Sequence, residues 1–155
     1  NSELDIEFTR WGDASYPYPL EYSVQPTNGG QETERSVSRP MVQSGNNSIH
    51  FLSWTQSLVS FSSYQGNTNP PPPGNLITSW SFNNTNPPKS KEECNSDPVI
   101  IPDPESNTTL SLNLWLDRGS YPSNDQEAEV IIHNVDFTQS SPSDFSGNKT
   151  FMNNR

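Results

Sequence analysis

Hydrophobic and polar residues alternate over several short stretches of the chain. In 110–117 every second residue is a leucine, and in 3–8 apolar residues alternate with acidic ones. Because successive side chains of a strand point to opposite faces, this period of two predicts half-buried β-strands. The predicted strands are 3–8, 20–25, 48–54, 57–64, 76–82, 110–117 and 127–137. The apolar rows expected in the core are Leu4, Ile6, Phe8, Leu110, Leu112, Leu114 and Leu116.

The stretches between the predicted strands are polar and rich in proline. The segment 83–107 carries five prolines, and four consecutive prolines precede the strand at 76–82. Proline interrupts strand interiors, so both stretches are expected to be loops. Short strands with one apolar face each predict an all-β fold, an antiparallel β-sandwich. We expect one domain over 1–140, with its long loop at 83–107 fixed by the apolar residues 99–101, and a polar tail over 141–155.

Composition narrows the functional classes. The chain has 155 residues, 28% of them hydrophobic, and a net charge of −10. An acidic chain repels phosphates, which argues against nucleic-acid binding, and no apolar run is long enough for a membrane span. The single Cys94 is interpreted as a free thiol or as half of a bridge to a segment outside this chain. Sequons that indicate a secreted glycoprotein occur at Asn46, Asn83, Asn107 and Asn148.

The acidic face of 3–8 is the candidate catalytic feature. Glu3, Asp5 and Glu7 would form a row about 13 Å long, and the outer side chains can lean toward the ~5–5.5 Å carboxyl separation of retaining glycosidases. Three like charges in a row do not all ionise easily, so at least one carboxyl group is expected to keep its proton to higher pH. A retaining glycosidase requires one protonated carboxyl group, as general acid, beside one ionised carboxylate, as nucleophile. The simpler interpretation is an amphipathic strand with a solvated acidic face.

The segment Glu3-Leu4-Asp5-Ile6-Glu7-Phe8 resembles the signature of glycoside hydrolase family 16, which is Glu-x-Asp-x-Glu followed by an aromatic residue. Residues 20–26 are similar to the strand after the catalytic one, 51–54 to an aromatic-x-x-Trp segment, 112–115 to an Asn-Leu-Trp strand and 127–137 to the closing strand. The family's upstream segment has no counterpart here, and 83–107 is longer than usual. The resemblance therefore implies a concanavalin A-like jelly roll that lacks its upstream strands in this chain.

The resemblance also implies an activity and residue roles. It implies a retaining endo-β-glycosidase that hydrolyses or transglycosylates a β-glucan-like polysaccharide, with no cofactor and no metal. Glu3 would be the nucleophile, Glu7 the acid/base, and Asp5 the hydrogen-bonding residue between them. The residues expected to bind substrate are Trp115, Asn113, Gln25, Ser23, Glu21 and Trp11. Trp115 could instead pack under a loop, and Glu21, Ser23 and Gln25 could be ordinary solvated strand residues.

A non-catalytic function is the alternative. The same sandwich could serve as a carbohydrate-binding or structural extracellular module without chemistry. His50 and His133 have no partner signature and are interpreted as structural, and no residues have zinc-ligand spacing. If an upstream segment is missing, the chain should leave a sheet edge or an apolar surface unpaired, or another chain should cover it.

Overall fold

The described part of the protein is all-β. A computed structural model describes residues 3–25, 36–41, 45–83, 101, 108–122 and 125–139. Its strands are β1 (Leu4–Phe8), β2 (Leu20–Val24), β3 (Ser36–Arg39), β4 (Ser48–Trp54), β5 (Leu58–Gln65) and β6 (Leu76–Asn83). Two single turns of 3₁₀-helix lie at Pro73–Asn75 and Asp117–Gly119. No helix among the described residues is long and apolar enough to cross a membrane.

The strands form two antiparallel three-stranded sheets. The first has the order β1-β2-β3 and the second the order β4-β5-β6. In the first sheet Leu4 pairs with Val24 and Phe8 with Leu20, so apolar residues of both strands share a face. A tight turn joins β4 and β5, where the Thr55 amide donates to the Leu58 carbonyl oxygen at 2.9 Å. The predicted strands 48–54 and 57–64 thus form a hairpin.

One hydrophobic cluster contains buried residues of both sheets. The Tyr22 ring of β2 stacks on the Phe61 ring of β5 with centroids 5.0 Å apart, and Phe61 stacks in turn on Trp80. Leu4 and Ile6 pack against this cluster, as their positions in the alternation predict. The cluster consists of Leu20, Tyr22, Val24, Val59, Phe61, Phe82 and Ile101. Buried Ile101 confirms, for that residue, the prediction that 99–101 contacts the core.

A short chain of polar groups crosses the same interior. The Tyr22 hydroxyl lies 2.5 Å from the Ser63 hydroxyl, which lies 2.7 Å from Nδ1 of His50. The Ser48 hydroxyl is 2.8 Å from Nε2 of the same ring. Each of these four polar side chains thus has a hydrogen-bond partner. Burial lowers the pKa of His50, which favours the neutral ring, in line with the structural role expected for this histidine.

The predicted strands at 110–117 and 127–137 are wrong for this structure. Neither segment forms a strand, and the four leucines expected in the core are exposed, Leu114 at 64%. Alternation identifies the two faces of a strand, but a strand also needs a neighbour that completes its hydrogen bonds. Among the described residues no strand pairs with either segment. Val130 and Ile131 of the second segment also lie in solvent.

Two smaller predictions also need correction. Phe8 is 53% exposed although it belongs to the core-facing row of β1. It lies at the end of the strand, where its ring and the His50 ring form a T-shaped contact with centroids 5.0 Å apart. Asn83, predicted to lie in a loop, is the half-buried last residue of β6.

The chain divides into two compact units, 1–113 and 114–155. The first contains both sheets and the hydrophobic cluster. The second contains one 3₁₀ turn and, over its described residues, mostly exposed side chains. The predicted tail at 141–155 and most of the predicted loop at 83–107 lie outside the described residues.

Candidate functional site

The acidic row lies along β1, at an edge of the first sheet. Asp5 and Glu7 lie within the strand and Glu3 directly precedes it. All three alternate with the core-facing residues Leu4 and Ile6, so the row lies on the sheet face opposite the hydrophobic cluster. The structure thus brings the three predicted catalytic residues into one row, as the sequence predicts.

The register of β2 gives each acid of the row a different partner. The Gln25 amide donates to the Glu3 carbonyl oxygen at 2.8 Å, Asp5 lies opposite Ser23, and Glu7 lies opposite Glu21. Opposite residues of an antiparallel pair share a sheet face. Three residues predicted to bind substrate, Glu21, Ser23 and Gln25, therefore lie beside the row.

Two hydrogen-bond donors contact one carboxylate oxygen of Asp5. The Ser23 hydroxyl donates to Oδ2 of Asp5 at 2.8 Å, and the Gln25 side-chain amide donates to the same oxygen at 3.2 Å. The pKa of Asp5 is raised, chiefly by burial, and these two hydrogen bonds oppose the rise. The charge of Glu3 and a hydrogen bond with it add to the rise. Asp5 is therefore fixed in place at the centre of the row.

Glu7 lies among acceptors and negative charges. Burial and the neighbouring carboxylates raise the pKa of Glu7 to about 7; burial is the largest cause, and the charges of Asp5, Glu21 and Glu3 follow. This is the direction expected for the residue assigned as acid/base. Near neutral pH its carboxyl group can both donate and accept a proton.

Trp11 lies in the connection between β1 and β2 and reaches the same face. Its backbone has a φ of 49°, a conformation that residues other than glycine seldom adopt, and its amide donates to the Thr9 hydroxyl at 3.1 Å. The indole Nε1 donates a long hydrogen bond, 3.4 Å, to Oε2 of Glu21. Its ring is 49% exposed. Trp11 therefore flanks the row, as predicted, and also contacts a residue beside it.

Two serines of β3 extend the polar face and were missed in the sequence. Ser36 lies opposite Ser23, Ser38 lies opposite Glu21, and both are buried. The segment 36–39 contains a single apolar residue, Val37. A run this short carries no countable alternation, so no sequence signal identified the strand.

The strand that was predicted to carry Asn113 and Trp115 does not form. Both residues are exposed, Trp115 at 67%, and neither lies in a strand, so the expected shared strand face does not form. The physical reason is the missing neighbour described for 110–117. Asn46 is exposed, as a glycosylation site requires, whereas Asn107, Asn148 and Cys94 lie outside the described residues. The exposed ring of His133 belongs to the second unit.

The structure offers no second site of comparable chemistry in its described part. Among the described residues no three His, Cys, Asp or Glu side chains are arranged to hold a metal ion. A cavity of about 180 Å³ is lined without any acidic or basic side chain, by Pro40, Gln65, Gly74, Asn75, Leu76 and Ile77. The acidic row and its β2 partners therefore form the candidate site.

Comparison with known proteins returned no match, whether against protein-family models, curated proteins or solved structures.

Proposed function

We propose that the acidic row is the catalytic face of a retaining endo-β-glycosidase similar to glycoside hydrolase family 16. Glu3 acts as the nucleophile that forms a glycosyl-enzyme. Glu7 first protonates the leaving-group oxygen and then removes a proton from the attacking water. Asp5, held by Ser23, lies between them and stabilises the arrangement. The substrate class is a β-glucan-like polysaccharide.

The observation that carries the proposal is the unequal environment of the three acids. Burial raises the pKa of both Asp5 and Glu7, but the hydrogen bonds from Ser23 and Gln25 oppose the rise at Asp5, whereas no donor among the described residues opposes it at Glu7, whose pKa reaches about 7. Neighbouring carboxyl groups whose environments give them different pKa values are typical of a catalytic acid and base. A merely solvated acidic face would leave such neighbours equivalent.

The fold that we propose is a jelly-roll β-sandwich. The exposed apolar residues of 110–116 and 130–137 would then become strand residues once neighbouring strands are present. We propose that these strands come from a preceding segment or from another chain. Activity would depend on them, because they would form part of the cleft.

Hydrolysis assays of active-site variants test the function. The substrates are a mixed-linkage β-glucan, a β-1,3-glucan and an aryl β-glucoside oligomer with a good leaving group. Glu3→Gln should lose activity on all of them. Glu7→Gln should lose the polysaccharide activity but retain the first step with the aryl substrate, because a good leaving group needs little protonation. Asp5→Asn should lower activity without abolishing it.

The control for these variants is Glu129→Gln, which removes a negative charge from an exposed side chain. It should keep the activity of the unaltered protein. Full activity of Glu3→Gln would refute the nucleophile assignment. The assays should use both this chain and a form that includes any upstream coding sequence.

Carbohydrate binding without chemistry is the second candidate function. The exposed Trp11 ring beside the polar row favours it, since aromatic rings stack on the apolar faces of sugars. Binding of a β-glucan with no hydrolysis, and with Trp11→Ala more damaging than Glu3→Gln, would favour this function.

We also propose that the protein is secreted and glycosylated. Exposed Asn46 is the described sequon best placed to carry a glycan. Peptide mapping after enzymatic deglycosylation should detect conversion of Asn46 to aspartate in protein made by a eukaryotic secretory host. Complete absence of conversion at every sequon would contradict that route.

A further inference from the structure

The charges of the acidic row alone would keep a proton on Asp5, and not on Glu7, which is the proposed acid/base. Asp5 has an acidic neighbour on each side of it, Glu3 and Glu7, whereas Glu7 has an acidic neighbour on one side only. Like charges disfavour ionisation, so repulsion within β1 makes Asp5 the residue most inclined to stay protonated. An enzyme that uses Glu7 as the acid/base requires Glu7 to have a higher pKa than Asp5. Something outside the row must therefore distinguish the two carboxyl groups.

The partner strand supplies this distinction through its register. Opposite Asp5 it presents the Ser23 hydroxyl, which donates at 2.8 Å and favours the carboxylate. Opposite Glu7 it presents a second carboxyl group, that of Glu21. The donor opposite Asp5 therefore favours its carboxylate, whereas the carboxyl group opposite Glu7 favours the protonated form of Glu7.

Glu21 is itself held in position. The Trp11 indole donates to its Oε2 at 3.4 Å from the connection between the two strands. A carboxyl group bound by an N–H donor stays beside the row instead of turning away into solvent.

No cation offsets this arrangement among the described residues. The causes that act on Glu7 are burial and the charges of Asp5, Glu21 and Glu3. From β3, Ser38 lies opposite Glu21, and the guanidinium of Arg39 donates to the Ser38 carbonyl oxygen. In the loop, Arg10 donates to the Ala14 carbonyl oxygen.

We propose that Glu21, positioned by Trp11, is the residue of the partner strand that distinguishes Glu7 from Asp5 and thereby assigns the acid/base role within the row. Glu21 is thus a positioning residue and not a ligand of substrate hydroxyl groups. The catalytic consequence rests on the proposed function, whereas the proton distribution does not. The two are therefore tested by separate measurements.

The proton distribution is measured by carbon-13 NMR of the side-chain carboxyl groups during a pH titration of the chain. Glu21→Gln keeps the size of the side chain and removes its charge. The pKa of Glu7 should fall from about 7 by roughly half a pH unit, which reduces its protonated fraction at pH 7 from about half to about a quarter. Trp11→Phe keeps a ring but removes the N–H donor, and should lower the same pKa by a smaller amount. Ser23→Ala should raise the pKa of Asp5 instead.

The matched control is Glu129→Gln, which changes the net charge equally at an exposed side chain and should leave Glu7 unchanged. The variant Glu21→Asp keeps the charge and should retain most of the raised pKa of Glu7. If Glu7 titrates within about 0.2 pH unit of its original midpoint in Glu21→Gln, the proposal is overturned. A shift of equal size in Glu129→Gln would overturn it too, because the effect would then be one of net charge.

Activity gives the second, independent readout. In an active protein, Glu21→Gln should move the alkaline limb of the kcat/KM profile to lower pH by the NMR shift, with little change of KM at the pH optimum. A large rise of KM with an unmoved limb would show that Glu21 binds substrate and would overturn the proposal. If no glycoside is hydrolysed but the NMR shift occurs, the proposed function fails while the role of Glu21 in the row stands.

Discussion

Replacing Glu7 by glutamine is expected to stabilise the folded protein at alkaline pH. The pKa of Glu7 is raised from 4.5 to about 7, so the folded state resists ionisation of this side chain more than the unfolded state does. Between these two values the folded state binds more protons than the unfolded state, and the stability contribution of Glu7 is lost as the pH rises. Above about pH 7 the full cost of the ionised side chain is present. Below about pH 4.5 that cost is absent.

The size of the effect follows from the pKa difference. At about 1.4 kcal/mol per pH unit, a rise from 4.5 to about 7 corresponds to about 3 kcal/mol. Glu7 is only half-buried and solvent screens part of this cost, so about 1.5 kcal/mol is expected at pH 8. For a chain of this length such a gain corresponds to a rise of Tm by roughly 3–6 °C.

Thermal unfolding by circular dichroism at pH 4 and pH 8 checks this prediction. Glu7→Gln should raise Tm at pH 8 and have little effect at pH 4, while the control Glu129→Gln should leave Tm nearly unchanged at both. A loss of activity together with a gain of stability would identify Glu7 as a strained functional residue. An equal Tm change at both pH values would refute the electrostatic explanation, and a lower Tm at pH 8 would refute the sign of the effect.

Three further predictions concern the interior and the exposed segment. Tyr22→Phe removes the hydrogen bond to Ser63 but keeps the stack on Phe61, so urea unfolding should detect a loss of about 1 kcal/mol; no loss would mean that the bond is not formed. Leu112→Ser replaces an exposed side chain and should change the free energy of unfolding by less than about 0.5 kcal/mol, whereas Phe61→Ala in the core should cost about 3–5 kcal/mol. A large effect of Leu112→Ser would indicate that Leu112 is buried in solution. Burial lowers the pKa of His50, so the contribution of its neutral ring to the free energy of unfolding should be complete above about pH 6.5 and be lost as the pH falls. In urea denaturation from about pH 7.5 to 5, His50→Gln should weaken the dependence of the unfolding free energy on pH, and an unchanged dependence would contradict this.

The sequence was sufficient to predict the strands that pair with another strand within the described residues. The bounds of β4 match the prediction, and those of β1, β2, β5 and β6 differ from it by a single residue at one end or both. In these strands the period of two reports burial on one face, and antiparallel neighbours complete the hydrogen bonds. The strand β3 was not predicted because four residues with a single apolar member show no alternation of apolar and polar positions.

The exposed segments 110–116 and 130–137 mark the limit of the pattern. Their alternation predicts faces, but pairing depends on residues distant in the sequence, and no local pattern encodes which neighbour is present. The candidate site divides in the same way. The row of Glu3, Asp5 and Glu7 follows from strand geometry alone, whereas the Glu21 carboxyl group opposite Glu7 follows only from the register of β2.

The configuration of the first product tests the central claim most directly. The protein is incubated with a β-glucan oligosaccharide, and the anomeric proton of the newly formed reducing end is followed by proton NMR before mutarotation. Double displacement through Glu3 predicts that the β-anomer appears first. Initial formation of the α-anomer would contradict the nucleophilic role of Glu3 and the account of the acidic row built on it.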